Sequence, residues 1–317
     1  MPKRKTDFEW LKDQLDGLLS IADGGVDSDR DVMNEYGLHS GLKLAGLKHA
    51  IEVFTSVAPE HAGEGHRFSS SVYIDLFAGA GRTTISKREH LPGSPIVASH
   101  SPKPFDRFIL VEKKLDRCQA LEGRLRNSGV DMSKVILHNE DCNAVVGDII
   151  KEAKFKGDNP IVFVCVDPEG MGINWATLER ISDALPRSDF FIVFTGGTQR
   201  VVNAHVKRGT HGESLRNFTG IDAVENLALA GKSLFDVYRG RIQGHLGKSV
   251  GDSVPITDVR GQEKYKILLF VRPTYMGTRF FRGYSAMFSR LNGVGVEDVR
   301  HALNILKGGQ DTLKTAQ

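Results

Sequence analysis

Tyr73-Ile74-Asp75-Leu76-Phe77-Ala78-Gly79-Ala80-Gly81-Arg82 is an apolar run that stops abruptly in a turn built on two glycines. Its reading decides the fold. A buried strand that ends in bare backbone leaves room at the carboxyl edge of a sheet, where a small adenosine-containing ligand can approach closely. Working outward, acids follow the next strand-like runs in turn. Glu112 ends the run 105–111, Asp141 follows 135–138, and Asp167-Pro168-Glu169-Gly170 follows 161–166. With 71–77, 190–194 and 265–271, these runs give six strand candidates. Amphipathic helical stretches lie near 94–99, 113–127, 143–154 and 175–185. Alternation of this kind predicts an α/β fold with a doubly wound, mostly parallel sheet and right-handed crossovers.

The flanks read differently. Leu44, Leu47, Ile51 and Phe54 recur at helical spacing, and Phe8, Leu11, Leu15 and Leu18 form a weaker set, so residues 1–60 are expected to be a helical segment packing on the core of 61–317. Between the glycine turn and Gly93-Ser94-Pro95 the reading places a polar loop of about ten residues, after which Ser94 caps a helix whose first residue is Pro95. After Thr195-Gly196-Gly197-Thr198-Gln199-Arg200, helical spacing at Val224, Leu227, Leu234, Phe235 and Tyr238 predicts a helical insertion over about 200–258, lying over the carboxyl edge of the sheet as a lid. Helices near 280–291 and 296–306 follow, and Gly308-Gly309 begins a frayed end.

At 317 residues with 40% hydrophobic composition, the chain suffices for a large α/β core. No apolar run reaches the roughly 20 residues that span a bilayer, and the start, Met1-Pro2-Lys3-Arg4-Lys5, is not an apolar signal segment. The expectation is a soluble, cytoplasmic protein. Three cysteines, Cys118, Cys142 and Cys165, without a CxxC pair, imply neither a disulfide frame nor a zinc site. The net charge is +3, and residues 199–260 hold nine Lys or Arg against six acids, which accounts for the whole excess. A basic region beside a ligand edge can bind phosphates, and a solvated face of mixed charge gives the same count.

A dinucleotide turn runs GxGxxG straight into a helix whose amino end receives the pyrophosphate. Here Gly79-Ala80-Gly81-Arg82-Thr83-Thr84 lacks the third glycine, and the helix start is displaced. S-adenosylmethionine has no phosphate to cradle. It needs backbone room for its methionine part, a carboxylate for the ribose hydroxyls and an acceptor for the adenine amine. Asp75 and the turn at Phe77, Ala78, Gly79 and Gly81 can supply the first, Glu112 the second, and Asp141 with Cys142 the third. Each acid also has a plain structural reading: Asp75 as a turn cap, Glu112 in an ion pair with Lys113 or Lys114, Asp141 with Asn143 as a helix cap.

The chain resembles the three-Cys-motif partner family (TcmP) of methyltransferase-like proteins. The likeness is carried by the stretch from Tyr73 to Arg82, Gly93-Ser94-Pro95-Ile96-Val97-Ala98, Leu110-Val111-Glu112-Lys113, Asp141-Cys142-Asn143, and Val166-Asp167-Pro168-Glu169-Gly170 leading to Trp175. It covers most of 38–200 and departs from the family where Ala80 replaces a common proline. The resemblance implies a Rossmann-like class I methyltransferase fold, S-adenosylmethionine as cofactor and a three-cysteine-motif protein as a possible partner.

Enzymes that methylate exocyclic amines place an acid or amide and prolines at this strand end, so that a side-chain oxygen and a backbone carbonyl accept the N–H bonds. Asp167 and Pro168 meet that need, with Glu169 as a proton acceptor or a bystander. The aromatic on which a base would stack is replaced by Glu169-Gly170, and Trp175 is read either as its substitute or as core. Methylation at a cytosine carbon needs a thiol nucleophile, commonly in Pro-Cys, and the chain has none. The expected acceptor is a nucleic-acid amine, in DNA or RNA. The alternative is a non-catalytic cofactor-binding scaffold for the three-cysteine protein.

Overall fold

Within the strands, successive side chains face opposite ways and divide the core in two. Tyr73, Phe163, Cys165, Phe191, Ile267 and Leu269 belong to one buried cluster. Their neighbours Val72, Ile74, Val162, Val164, Phe190, Leu268 and Phe270 belong to the other. A sheet buried on both faces needs helices on both, and the chain supplies them.

The computed structural model describes residues 5–22, 32, 34–35, 37–57, 68–86, 89–222, 226, 233–247, 249–272 and 279–308. In chain order the elements are α1 (Asp7–Ala22), β1 (Asn34–Glu35), α2 (His39–Val57), β2 (Ser71–Asp75), β3 (Arg82–Ser86), β4 (Glu89–Pro92), α3 (Ser94–Ser99), β5 (Arg107–Val111) and α4 (Leu115–Asn127). They continue with β6 (Val135–His138), α5 (Val146–Ala153), β7 (Ile161–Val166), α6 (Trp175–Ala184), β8 (Ser188–Thr195), α7 (Thr198–Arg208), α8 (Gly212–Thr219) and α9 (Leu234–His245). The last are β9 (Ser249–Thr257), β10 (Glu263–Val271), α10 (Arg279–Asn292) and α11 (Val296–Leu306).

Seven strands form the main sheet in the order β6-β5-β2-β7-β8-β10-β9. The pairs β2 with β5, β5 with β6, β2 with β7 and β7 with β8 are parallel. β10 runs antiparallel to both of its neighbours, β8 and β9. This is the Rossmann-like order of class I methyltransferases, with the switch in winding direction between β5 and β7, on either side of β2. Ligands in open α/β sheets bind at that switch, outside the carboxyl ends of the strands. Helices α1, α2, α3, α10 and α11 cover one face. Helices α5, α6, α8 and α9 cover the other.

Two expectations need correction. The stretch after the glycine turn is a β-hairpin, β3 with β4, which pairs with β1 in a small second sheet. Its polar side chains hid an antiparallel pair whose ends meet at the turn: Gly93 donates to the Gly81 carbonyl at 2.8 Å. A Cβ on Gly93 would lie 2.9 Å from the Gly81 carbonyl carbon, so the close approach requires glycine. The expected helical insertion 200–258 ends in a strand, β9, and its described helices α8 and α9 pack on the face of the sheet, not over its carboxyl edge. Leu215, Phe218, Tyr238 and Ile242 are buried against the sheet, and Phe218 stacks on Tyr238 with ring centroids 4.9 Å apart. The predicted positions Val224 and Leu227, and Gly309, lie outside the described residues. No helix among the described residues is long and apolar enough to cross a membrane.

Candidate functional site

The strand-end residues converge on one cavity of about 290 Å³ at the carboxyl edge. Phe77, Ala78, Gly79, Glu112, Asp141, Cys142, Asp167 and Glu169 all line it. The three other sequence candidates stand behind its wall. Asp75 is fully buried, and its carboxylate accepts from the Tyr73 hydroxyl at 2.9 Å and the Phe77 N–H at 3.1 Å. Gly81, at φ +77°, carries the chain away from the pocket into β3. Pro168 lies beyond the lining between Asp167 and Glu169. Asp75 therefore sets the turn without facing a ligand, because strand alternation and the turn direct its side chain inward. Burial raises its pKa to about 6, against the opposing hydrogen bonds from Ser94, Tyr73 and Phe77. Ser94 is not the cap of α3; that position is Gly93, and the Ser94 side chain serves Asp75 instead.

Glu112 is buried, and among the described residues it forms no side-chain ion pair. One carboxylate oxygen accepts the Gly79 N–H at 3.0 Å, and the other accepts the Lys114 N–H at 2.7 Å. It thus ties the glycine turn of β2 to the end of β5. Carboxylate oxygens have lone pairs beyond those two bonds, so hydroxyl donors can share the group. Asp141 does not cap α5, whose N-cap position is Val145; it accepts the Asn143 N–H at 2.9 Å in the turn before that helix and pairs with Lys113 at 3.1 Å. Burial works to raise its carboxyl, but the Asn143 N–H and the Lys113 charge hold it below the ordinary value. Burial pushes the Cys142 thiol up to about 12, and Cys165 well above its ordinary range, so neither is a thiolate.

The loop after β7, which carries Asp167 and Glu169, is held by cations. The Lys43 Nζ donates to Asp167 Oδ2 at 2.5 Å, and Arg117 donates to Glu169 at 2.7 Å. Arg117 and Lys114 bridge Glu169 to α4 at the rim, which suits a structural tie better than a proton acceptor. Trp175 is core: it is 3% exposed and packs edge-on against Tyr238.

Sequence reasoning missed Lys43, Leu44 and Leu47, which α2 contributes to the pocket beside Phe191 of β8. A signal was present. Residues 40–47 of α2 are buried all round, and Lys43 is the one charge among them. A lysine on a helix with no wet face must meet a partner inside.

No family model matches the chain, and no curated protein matches its sequence. Solved structures do. A protein from Legionella pneumophila is 11% identical over 78% of this chain and 92% of its own, with a TM-score of 0.46. An O-methyltransferase from Bacillus cereus in complex with SAH is 10% identical over 86% and 93%, with a TM-score of 0.38. The O-methyltransferase TomG from Streptomyces achromogenes, in complex with SAM, is 13% identical over 85% and 91%, with a TM-score of 0.37. These scores all fall below 0.5, and the fold assignment rests on strand order and direction.

Proposed function

We propose that this chain binds S-adenosylmethionine in the strand-end pocket and transfers its methyl group to an exocyclic amine of DNA or RNA, as a member of the three-Cys-motif partner family. The single observation behind the reading is the convergence of Glu112, Asp141, Asp167 and the glycine turn on one cavity. Its volume is near the lower end of the roughly 300–1,000 Å³ usual for small-ligand sites. The donor set fits the cofactor: backbone at Ala78 and Gly79 for the methionine part, Glu112 for the ribose hydroxyls, and Asp141 for the adenine amine. The hairpin that separates the turn from α3 opposes a dinucleotide, whose pyrophosphate needs a helix amino end at the turn.

Asp167 accepts an N–H of the acceptor and orients the nitrogen lone pair. Bound there, the cofactor would supply the methyl group from its sulfonium, which would leave as the neutral thioether, and Asp167 would take the proton released from the acceptor nitrogen. The second reading, a cofactor-binding module without catalysis, is favoured by a specific observation: Asp167 and Glu169 are both engaged by cations of the chain itself.

Calorimetry with S-adenosylmethionine, S-adenosylhomocysteine and NAD tests the cofactor. Labelled-methyl transfer by wild type, Asp167→Ala and Glu169→Gln to DNA, RNA and the three-cysteine protein tests the reaction. Loss in Asp167→Ala with activity retained in Glu169→Gln is the expected result. Tight cofactor binding without transfer to any acceptor makes the module reading the better account.

A further inference from the structure

The β9–β10 hairpin turns over at the carboxyl edge of the sheet, because Tyr265 of β10 is in register with Thr195 at the end of β8, and Glu263 with Thr257 at the end of β9. Its tip, Asp258-Val259-Arg260-Gly261-Gln262, is built to hold one shape. The Asp258 side chain accepts the Arg260 N–H at 2.9 Å and the Gln262 N–H at 3.0 Å, and it pairs with Lys264 at 2.9 Å. The Asp258 N–H donates to the Gln262 carbonyl at 2.9 Å, and Gly261 closes the turn at φ +72°. So pinned, the tip leaves Val259 56% exposed, next to an exposed Arg260. A lone exposed valine on a surface is ordinary. This one stands at the apex of a fixed hairpin, and side-chain contacts lead from that hairpin to the acceptor end of the pocket. Tyr265 donates to the His39 carbonyl at 2.7 Å, its ring centroid lies 5.9 Å from the Lys43 Nζ, and Lys43 pairs with Asp167.

The charge of this rim is positive. Residues 195–200 and 257–266 hold four cations, Arg200, Arg260, Lys264 and Lys266, against two acids, Asp258 and Glu263. Both acids are paired within the hairpin, with Lys264 and Lys266, so Arg200 and Arg260 carry the excess. The turn before α7 abuts β10, since the Gly196 N–H donates to the Lys264 carbonyl at 2.7 Å. A Cβ on Gly197 would lie 3.5 Å from Arg200 Nη2, which sets that guanidinium over the same turn. Asp167, in contrast, lies inside the cavity with 24% of its side chain exposed. A base stacked within a helix cannot reach it and has to be rotated out.

We infer that the β9–β10 tip is a wedge for a base-paired nucleic-acid helix: Val259 enters the gap left in the stack by the base that turns into the pocket, while Arg260 and Arg200 hold the flanking phosphates. Apolar side chains that enter between base steps unstack them in this way, and the cations supply an attraction that does not depend on sequence. This inference rests on the nucleic-acid reading and adds the form of the acceptor, a paired helix in place of a single strand. A single strand has no stack to hold open, so Val259 contributes nothing to binding it. The pinned geometry matters, because a tip that could fold back would hide the valine against its own hairpin.

The probes are a short DNA duplex and a short RNA duplex, each with one mismatched pair carrying 2-aminopurine, and the same strands unpaired. Affinity is read by fluorescence anisotropy with S-adenosylhomocysteine present, and unstacking by the rise in 2-aminopurine emission. Wild type should bind at least one duplex more tightly than its separate strands and raise its emission. Val259→Ser should weaken binding to that duplex by about 10-fold, the scale of withdrawing one buried valine side chain from an apolar contact, and should suppress the emission change. Its binding to the single strands should stay as in wild type, and Val259→Leu should restore both duplex readouts. Arg260→Gln should weaken duplexes and strands alike and flatten the salt dependence. Because Val259 is exposed, these variants fold, and matching thermal midpoints check it. Wild-type duplex affinity and emission in Val259→Ser, or an equal loss on duplexes and single strands, overturns the wedge and leaves methyl transfer to a nucleic acid standing. Absence of binding to every probe at low salt removes both.

Discussion

Asp75 carries a testable electrostatic cost. Its carboxyl is fully buried beneath the glycine turn, and burial raises its pKa from 3.8 to about 6 despite three hydrogen bonds, with the Asp167 charge adding to the rise. In the unfolded chain the group ionises near its ordinary value. Between the two pKa values the folded state therefore holds a proton that the unfolded state has released, and stability falls as pH rises through this window. A shift of this size corresponds to about 3 kcal/mol in full, of which about 2 kcal/mol develops between about pH 4.5 and about pH 7.5. Asp75→Asn keeps the size and an oxygen for the Phe77 N–H but cannot ionise. Urea unfolding of both proteins, without cofactor, at several pH values across that range isolates the group, because every other titration is common to both. The stability difference between the variant and wild type should move by about 2 kcal/mol in favour of the variant as pH rises. Parallel pH profiles would refute the buried carboxyl and with it the account of what holds the turn.

Two further substitutions probe the pocket frame. Glu112→Ala should weaken S-adenosylmethionine binding by about 1 to 3 kcal/mol in calorimetry, through loss of the ribose acceptor and of the bond to Gly79; unchanged affinity in a folded variant would remove Glu112 from the cofactor site. Gly93→Ala should lower stability by about 1 to 3 kcal/mol, because its Cβ would press on the Gly81 backbone. An unchanged thermal midpoint would show that the hairpin base can relax.

What was legible in the sequence was what local pattern encodes. Strands β2, β5, β6 and β7 are short apolar runs followed by an acid or a glycine turn, and their alternation with helices gave the parallel, doubly wound class; the strand order itself comes from the structure. The hairpin was lost because Arg82-Thr83-Thr84-Ile85-Ser86 reads as polar, although its β-branched residues suit a strand. Strand β9 was lost for another reason. Gly251, Asp252 and Pro255 look like loop residues, yet an edge strand tolerates proline, and Val254 and Ile256 are buried in alternation. The lid failed because a charge count over 199–260 says nothing about which face of each helix is wet. The apolar positions of α8 and α9 decided their place, on the sheet.

Lys43 marks the limit of local reading most clearly. Its spacing on α2 is ordinary, and nothing near it in sequence names Asp167. The pairing becomes forced only once α2 is seen to be buried between the sheet and α1, α10 and α11, where an ammonium without a counter-charge would be severely destabilising. Asp167, at the end of β7, supplies that counter-charge. The same burial that stabilises α2 therefore delivers a cation to the pocket wall, and the N-terminal helical segment completes the site that the strand ends begin. A division at residue 60 describes the chain's composition, while the pocket takes its walls from both sides of that line.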